Sequence, residues 1–132
     1  TRKITSHVAR IKMGLAKHLE LGNLDAERDW GHSRDYVNAM WLMLQQENPE
    51  DYVVATGTSR TVRSFCVKAF SCVGLNYQDH VVIKDAFFRA SEDTPLRGDA
   101  SKAKIDLGWK STTSFDQMVT EMVESDLDAL NR

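Results

Sequence analysis

The chain has 132 residues, of which 42% are hydrophobic and 27% are charged, and its formal net charge is -2. This length supports one domain with one core, and the composition is close to that of average globular proteins. The small negative charge gives no support for binding to nucleic acid or to a membrane surface. We find no signal peptide and no long apolar run, so we expect a cytoplasmic protein.

The first predicted helix runs from about Lys3 to His18, because apolar residues recur there at helical spacing. Its apolar face consists of Ile4, Val8, Ile11 and Leu15. The sequence has no initiator Met and starts directly in this helical pattern, which favours a piece of a longer protein. A turn is predicted at residues 22–23, and residues 28–31 are expected to be extended.

The second predicted helix begins at Ser33 as its N-cap and ends near Gln46. Its apolar face is expected to lie in the core rather than to bind a partner. That face consists of Tyr36, Val37, Met40, Trp41 and Leu44. Residues 52–56 form a short apolar run before Gly57, which predicts a buried and parallel strand.

The third predicted helix runs from about Thr61 to Val73 and is closed by Gly74. It contains Cys66 and, six residues later, Cys72. At that spacing the two thiols point to different sides of a helix, so we expect both to be reduced and near the core. Residues 80–83 predict a second strand, and residues 84–98 are expected to be irregular.

Two further helices are predicted near the C-terminus. Asp99 is expected to cap a short helix that stops at Gly108, and Ser114 with Gln117 forms a capping box for the last helix, which ends near Leu130. Strands that alternate with helices indicate an α/β fold, mostly helical with a few short strands. Two isolated parallel strands make a poor sheet, which again favours a piece of a larger fold.

Motifs for catalysis are missing from the sequence. It contains no glycine-rich dinucleotide loop, no P-loop, no nucleophile elbow, no metal-ligand spacing and no Tyr-x-x-x-Lys pair. His32 stands beside Trp30 and Gly31, but a lone histidine of this kind is more often a structural group than a base. We therefore predict no catalytic residue and no metal ligand in this chain.

Three cations and one carboxylate are better candidates for a binding site. Lys3 lies in the first turn of a predicted helix, where backbone N–H groups favour anions. Arg28 and Arg89 offer planar forks that can bind phosphate, and Glu92 could accept ribose hydroxyls. Such a set would suit a nucleoside diphosphate. From the residues alone, however, exposed arginines paired with nearby acids are the simpler interpretation.

Longer matches give these residues a more specific interpretation. The segments are Thr1-Arg2-Lys3-Ile4, Leu21-Gly22-Asn23-Leu24-Asp25, Arg28-Asp29-Trp30-Gly31-His32, Asp35-Tyr36-Val37, Met40-Trp41, Ala55-Thr56-Gly57, Ser101-Lys102-Ala103-Lys104 and Leu107-Gly108-Trp109-Lys110. Together they resemble the GDP-mannose 4,6-dehydratase family of extended short-chain dehydrogenases, over essentially the whole chain. The resemblance implies that residues 1–132 are the C-terminal, substrate-binding portion, without the N-terminal Rossmann domain that holds NADP.

The resemblance also implies roles for single residues. Lys3, Arg28 and Arg89 would bind the GDP moiety of a GDP-sugar, with Arg28 and Arg89 at the diphosphate. Glu92 would bind a ribose, and Leu21 with Gly22 would line the guanine side. The family's catalytic threonine, glutamate, tyrosine and lysine would lie before Thr1, as would its NADP site. The intact enzyme would convert GDP-mannose to a 4-keto-6-deoxy sugar as a homo-oligomer, a dimer or a tetramer.

One segment departs from the family pattern. The family usually carries RPxEVDxLxGD, whereas residues 89–99 read RASEDTPLRGD. Loss of the proline frees the backbone that aims Arg89, and Asp93 could compete for its guanidinium. Two alternatives remain open: a part of a related GDP-sugar epimerase or reductase, and a non-catalytic nucleotide-sugar-binding or interaction module.

Overall fold

The computed structural model describes residues 1–88 and 97–131. These residues form two compact units: the first comprises residues 1–26, 61–88 and 119–131, and the second comprises residues 27–60 and 97–118. The helices are α1 (Arg2–Lys12), α2 (Ser33–Leu44), α3 (Val62–Ser71), α4 (Ser101–Leu107) and α5 (Phe115–Leu130). The strands are β1 (Leu19–Leu21), β2 (Glu27–Asp29), β3 (Ser59–Thr61) and β4 (Val81–Ile83). The mixture of helices and short strands confirms the predicted α/β class.

The core of the first unit lies where α1 packs against α3 and against β1. Ile4, Val8 and Ile11 are buried as predicted, but Leu15 is 57% exposed. The prediction of a helix to His18 was wrong because α1 ends at Lys12, and Gly14 follows with φ of 72°. A residue in the left-handed region cannot continue an α-helix, so Leu15 leaves the apolar face.

The first unit contains a two-stranded parallel sheet. Strand β1 pairs with β4, and the register places Leu19 opposite Val81 and Leu21 opposite Ile83. The expected strand at residues 80–83 is therefore confirmed, apart from its first residue. Sequence analysis did not predict β1, since three residues give too short a pattern to distinguish a strand from a loop.

Helix α3 supplies the aromatic part of the same core. Its Phe65 and Phe70 are fully buried, and the Thr61 hydroxyl caps the helix by accepting a hydrogen bond from the Ser64 amide at 3.1 Å. Gly74 has φ of 71°, as expected for a glycine that closes a helix. Both cysteines are free, Cys66 buried and Cys72 half-buried, which confirms the expected reduced thiols.

The core of the second unit is built around α4, which packs against α2. It consists of Ala39, Ala103, Leu107 and Trp109. Helix α4 ends at Gly108, where φ is 64°, as predicted. Asp99 lies two residues before the helix rather than at the N-cap itself, but its carboxylate accepts a hydrogen bond from the Ser101 amide at 2.9 Å.

Two predictions for the second unit were wrong. Residues 52–56 form no strand, and Val53 is 54% exposed. Of the predicted apolar face of α2, only Tyr36 packs against the core, whereas Val37, Met40, Trp41 and Leu44 are 59–82% exposed. Helix α2 instead turns Asp35 and Ala39 inward, because the small Ala39 side chain lets α4 approach closely.

Helix α5 begins in the second unit and continues into the first. The Ser114 hydroxyl accepts a hydrogen bond from the Gln117 amide at 3.2 Å, as the capping box predicts. Met118, Val119 and Val123 are buried, so this side of the helix contributes to the core. Among residues 1–88 and 97–131, no helix is long and apolar enough to cross a bilayer.

Candidate functional site

Lys3 and Phe87 form the first contact between candidate site residues. Lys3 lies in the first turn of α1, and its Nζ is 4.2 Å from the centroid of the Phe87 ring. An ammonium group over an aromatic face is held by the ring's negative quadrupole. Lys3 is exposed, so its charge remains available to an anion near the start of α1.

Leu21 and Gly22 lie at the carboxyl end of β1, next to the same aromatic residue. A side chain at Gly22 would overlap with the Phe87 carbonyl, so only glycine allows this close approach. The Lys84 amide donates a hydrogen bond to the Leu21 carbonyl at 2.8 Å, which fixes the loop after β4 against the loop after β1. Ligands of parallel α/β sheets bind at the carboxyl ends of the strands.

The structure thus brings three of the predicted binding residues together in the first unit. Lys3 and Gly22 both contact Phe87, and Leu21 precedes Gly22. Phe87 was not among the residues predicted to form the site. Phe87 lies four residues after the end of β4. This position could have identified Phe87 only if the pairing of β4 with β1 had been predicted, which it was not.

Arg28 belongs to the second unit and lies on β2, which agrees at Arg28 and Asp29 with the extended conformation expected for residues 28–31. Its side chain is half-buried, and Nη1 donates a hydrogen bond to the Glu27 carbonyl at 2.6 Å. This bond keeps the guanidinium close to the strand. A guanidinium presents its N–H donors as a planar fork, the geometry that suits bidentate binding of phosphate.

Asp29 holds β2 to the loop that follows residue 55. Its carboxylate accepts hydrogen bonds from the Thr56 amide at 3.0 Å, from the Gly57 amide at 2.8 Å, and from the Thr56 hydroxyl. Asp29 directly follows Arg28, so these bonds also fix the backbone that carries the arginine. Sequence analysis quoted Asp29 only within a motif and did not predict this role.

His32 is a structural residue, which agrees with the sequence-based interpretation. Its Nδ1 accepts a hydrogen bond from the Arg34 amide at 3.0 Å and thereby caps α2. The expected N-cap, Ser33, is the first helical residue instead. The two residues before His32 are also constrained. The rings of Trp30 and Phe115 stack with their centroids 6.2 Å apart, and a side chain at Gly31 would overlap with the Tyr36 hydroxyl.

Asp35 is a buried carboxylate that organises the turn before α5. It is 5% exposed and accepts hydrogen bonds from the amides of Thr112 at 3.0 Å and Thr113 at 2.9 Å, and from the Thr112 hydroxyl at 2.6 Å. Burial alone would raise the pKa of Asp35, but these hydrogen bonds outweigh burial and lower it to about 2. A carboxylate that stays ionised and fully bonded is a structural group rather than a proton carrier.

The remaining two predicted site residues, Arg89 and Glu92, lie outside the described residues. Their predicted contacts with the diphosphate and a ribose therefore stay predictions.

A cleft of about 540 Å³ in the second unit was not predicted. It is lined by three cations, Arg97, Lys104 and Lys110, by the acid Asp99, and by small polar groups. The three cations outnumber the one acid, so the cleft is locally positive in a chain whose net charge is -2. No pattern in the sequence predicts that these residues line one cleft, because their proximity depends on how residues 55–57 fold against α4.

Among residues 1–88 and 97–131, no cluster of three or more His, Cys, Asp or Glu could hold a metal ion.

Comparisons with known proteins identify the family. The family model described as GDP-mannose 4,6 dehydratase matches residues 1–122. GDP-mannose 4,6 dehydratase 1 of Arabidopsis thaliana is 55% identical over 132 residues, which are 100% of this chain and 37% of that protein. The chain therefore spans less than half the length of the curated relative it matches.

Solved structures show the same fold at lower identity. RMD from Pseudomonas aeruginosa, solved with NADPH, has a TM-score of 0.86 and 22% identity, over 97% of this chain and 42% of that one. The dTDP-glucose 4,6-dehydratase from Bacillus anthracis, solved with NAD, has a TM-score of 0.76 and 22% identity, over 98% of this chain and 39% of that one. The fold is that of part of an extended short-chain dehydrogenase.

Proposed function

Since the chain belongs to the GDP-mannose 4,6 dehydratase family, we propose that it is the GDP-sugar-binding, C-terminal part of an enzyme of that activity. The intact enzyme converts GDP-mannose to GDP-4-keto-6-deoxymannose, a net loss of one water from the hexose. The residues of this chain bind and orient the nucleotide, which is the entropic contribution to catalysis. The 132 residues alone are expected to have no dehydratase activity.

One observation carries the proposal beyond the family match. Lys3, Leu21 and Gly22 meet around Phe87 at the carboxyl ends of β1 and β4. In this proposal Leu21 and Gly22, which Phe87 packs against, receive the guanine side, and Lys3 neutralises negative charge. Arg28, whose backbone Asp29 fixes, binds the diphosphate. Arg89 and Glu92 complete the set as diphosphate and ribose ligands.

The cofactor does not fit these residues. The sequence contains no glycine-rich dinucleotide loop, and the described residues form no helix that follows such a loop. We therefore assign NADP to the part of the family's chain outside these 132 residues. The same family assignment supports a cytoplasmic enzyme that acts as a homo-oligomer, a dimer or a tetramer.

The structural likeness by itself does not separate a dehydratase from an epimerase or a reductase. A UDP-glucose 4-epimerase shares the fold at 22% identity, whereas the dehydratase of Arabidopsis thaliana is 55% identical. The identity favours the dehydratase. A non-catalytic binding module would have the same nucleotide site, so activity in a full-length context separates it from the enzyme.

A chimera tests the proposal. These 132 residues replace the matching stretch of the Arabidopsis relative, and conversion of GDP-mannose is measured with added NADP. We expect the chimera to make the 4-keto product. Arg28→Ala should raise KM by about tenfold or more, because it removes a charge-assisted contact with phosphate. Arg10→Ala, which removes a cation from the last turn of α1, should leave KM unchanged. A chimera that folds and forms no product would contradict the dehydratase assignment.

A further inference from the structure

The cleft in the second unit has the size and the charge of a site for a small anion. Its volume is about 540 Å³, within the range of pockets that hold small molecules. Among the described residues that line it, Arg97, Lys104 and Lys110 are cations and only Asp99 is an acid. We call these three cations and the space between them the cationic cleft.

The lysines of the cationic cleft differ from Lys102, which lies on α4 but does not line the cleft. Lys102 Nζ is 2.9 Å from a carboxylate oxygen of Glu50, so its charge is neutralised within the chain. In the part of the chain that the structure describes, neither Lys104 nor Lys110 forms an ion pair. Both are exposed, so their charge is available to an anion from solution.

The acid of the cleft does not neutralise these cations by direct pairing. The Asp99 carboxylate accepts hydrogen bonds from the hydroxyl of Ser101 and, at 2.9 Å, from its amide. These bonds lower the pKa of Asp99, so it stays ionised at the start of α4. Within residues 1–88 and 97–131 Asp99 forms no ion pair. Three positive charges against one negative charge leave an excess of two.

Backbone contacts hold the walls of the cleft in place. A side chain at Gly98 would overlap with the Ala55 side chain, so only glycine allows these two segments to pack so closely. The amides of Thr56 and Gly57, on the same wall, donate hydrogen bonds to the Asp29 carboxylate at 3.0 and 2.8 Å. A cleft whose walls are fixed before a ligand arrives loses little conformational entropy on binding.

We propose that the cationic cleft binds the phosphate group of a small phosphorylated molecule. A phosphate carries several anionic oxygens, which an arginine fork and two ammonium groups can contact from different sides. The volume of the cleft leaves space beside the phosphate for the organic part of the ligand.

This proposal does not rest on the proposed function, because it uses none of the residues assigned to GDP. Successive side chains of a strand point to opposite faces, so Arg28 points away from the face on which Asp29 holds residues 56–57. An anion bound at Arg28 and an anion bound in the cationic cleft therefore contact different side chains.

NMR titration of the ¹⁵N-labelled chain tests the proposal. Inorganic phosphate and glucose 6-phosphate are the two probes, and sodium chloride keeps the ionic strength constant so that general screening does not change. We expect saturable shifts of the Gly57, Gly98 and Ser111 amides with both probes, and tighter binding of glucose 6-phosphate. No saturable shift at these amides would overturn the proposal. Binding of inorganic phosphate as tight as that of glucose 6-phosphate would overturn the assignment to an organic phosphate.

Single substitutions locate the bound anion. Lys104→Ala and Lys110→Ala should each weaken glucose 6-phosphate binding about fivefold, because each removes one charged contact with the phosphate. Lys102→Ala is the matched control, since it removes the same charge from α4 outside the cleft, and it should change the affinity by less than about twofold. Equal weakening by Lys102→Ala and Lys104→Ala would show that the probe responds only to overall charge, and would overturn the proposal.

Arg28→Ala separates this site from the proposed GDP site. It should leave the shifts of Gly57, Gly98 and Ser111 with glucose 6-phosphate saturable and of unchanged affinity. Loss of these shifts in folded Arg28→Ala would place the phosphate at Arg28 and overturn the cleft assignment. Loss of GDP binding with retained glucose 6-phosphate binding supports both proposals, and failure to bind GDP at all refutes only the proposed function.

Discussion

The carboxylate of Asp29 accepts a hydrogen bond from the Gly57 amide at 2.8 Å, across 28 positions of the sequence. Together with the two bonds from Thr56, this contact connects the strand that carries Arg28 to the loop before β3. A residue that sequence analysis treated as part of a motif is thus the anchor of a proposed phosphate ligand.

Replacement of Asp29 should therefore destabilise the chain. Asp29→Ala leaves the amides of Thr56 and Gly57 without their acceptor, and each half-buried donor left unsatisfied costs about 1–3 kcal/mol. We expect the free energy of unfolding in urea to fall by about 2 kcal/mol. Asp51→Ala, at an exposed carboxylate, is the matched control and should change it little. Equal losses in the two variants would show that the Asp29 bonds contribute nothing.

Acid should destabilise the chain through Asp35. Its pKa is lowered from 3.8 to about 2 in the folded chain, so the unfolded chain binds the proton more tightly. The stabilisation is fully present above about pH 4 and is lost as the pH falls through about 2, an amount of about 2 kcal/mol. The measurement is the free energy of unfolding between these two pH values.

Asp35→Asn isolates this contribution. The hydrogen bond from Lys102 also lowers the pKa of Glu50, and that from Ser101 lowers the pKa of Asp99. Both remain in the variant, so the difference between parent and variant reports Asp35 alone. If the variant lost as much stability as the parent on acidification, Asp35 would not be the titrating group.

The two thiols should differ in reactivity. Burial raises the pKa of Cys66 to about 12, and the side chain is fully inaccessible. Cys72 is half-buried, so it is the only thiol that a reagent can approach in the folded chain. At about pH 8 a maleimide should modify Cys72 slowly and Cys66 only after unfolding, because the thiolate is the reactive form. Mass spectrometry of a tryptic digest identifies the labelled residue, and Cys66 labelling in the folded chain would contradict the structure.

Local signals predicted the helices better than the strands. Ser114 before α5, Gly74 after α3 and Gly108 after α4 are caps or stops whose effect is confined to neighbouring residues, and all three act as expected. Strand β1 depends on a partner about 60 residues away, and no local pattern reports such pairing. The prediction of a strand at residues 52–56 was wrong for the same reason, because an apolar run does not report whether a pairing strand is present.

The prediction of which side of α2 faces the core was wrong for a different reason. Periodicity shows that a helix has an apolar side but not which protein surface that side meets. In this chain the closest packing uses Ala39 and Asp35, whereas Val37, Met40, Trp41 and Leu44 are exposed. Four described residues of the candidate site were predicted from the sequence: Lys3, Leu21, Gly22 and Arg28. The roles of Phe87 and Asp29 follow only from their contacts in the structure.

Binding of GDP to the isolated chain tests the central claim most directly. In isothermal titration calorimetry we expect saturable binding of GDP, weakened about tenfold or more by Arg28→Ala and also weakened by Lys3→Ala, with Arg10→Ala as the control that retains it. Circular dichroism confirms that each variant is folded. A folded chain that binds GDP with the same affinity after Arg28→Ala and Lys3→Ala, or that does not bind GDP, would contradict the account.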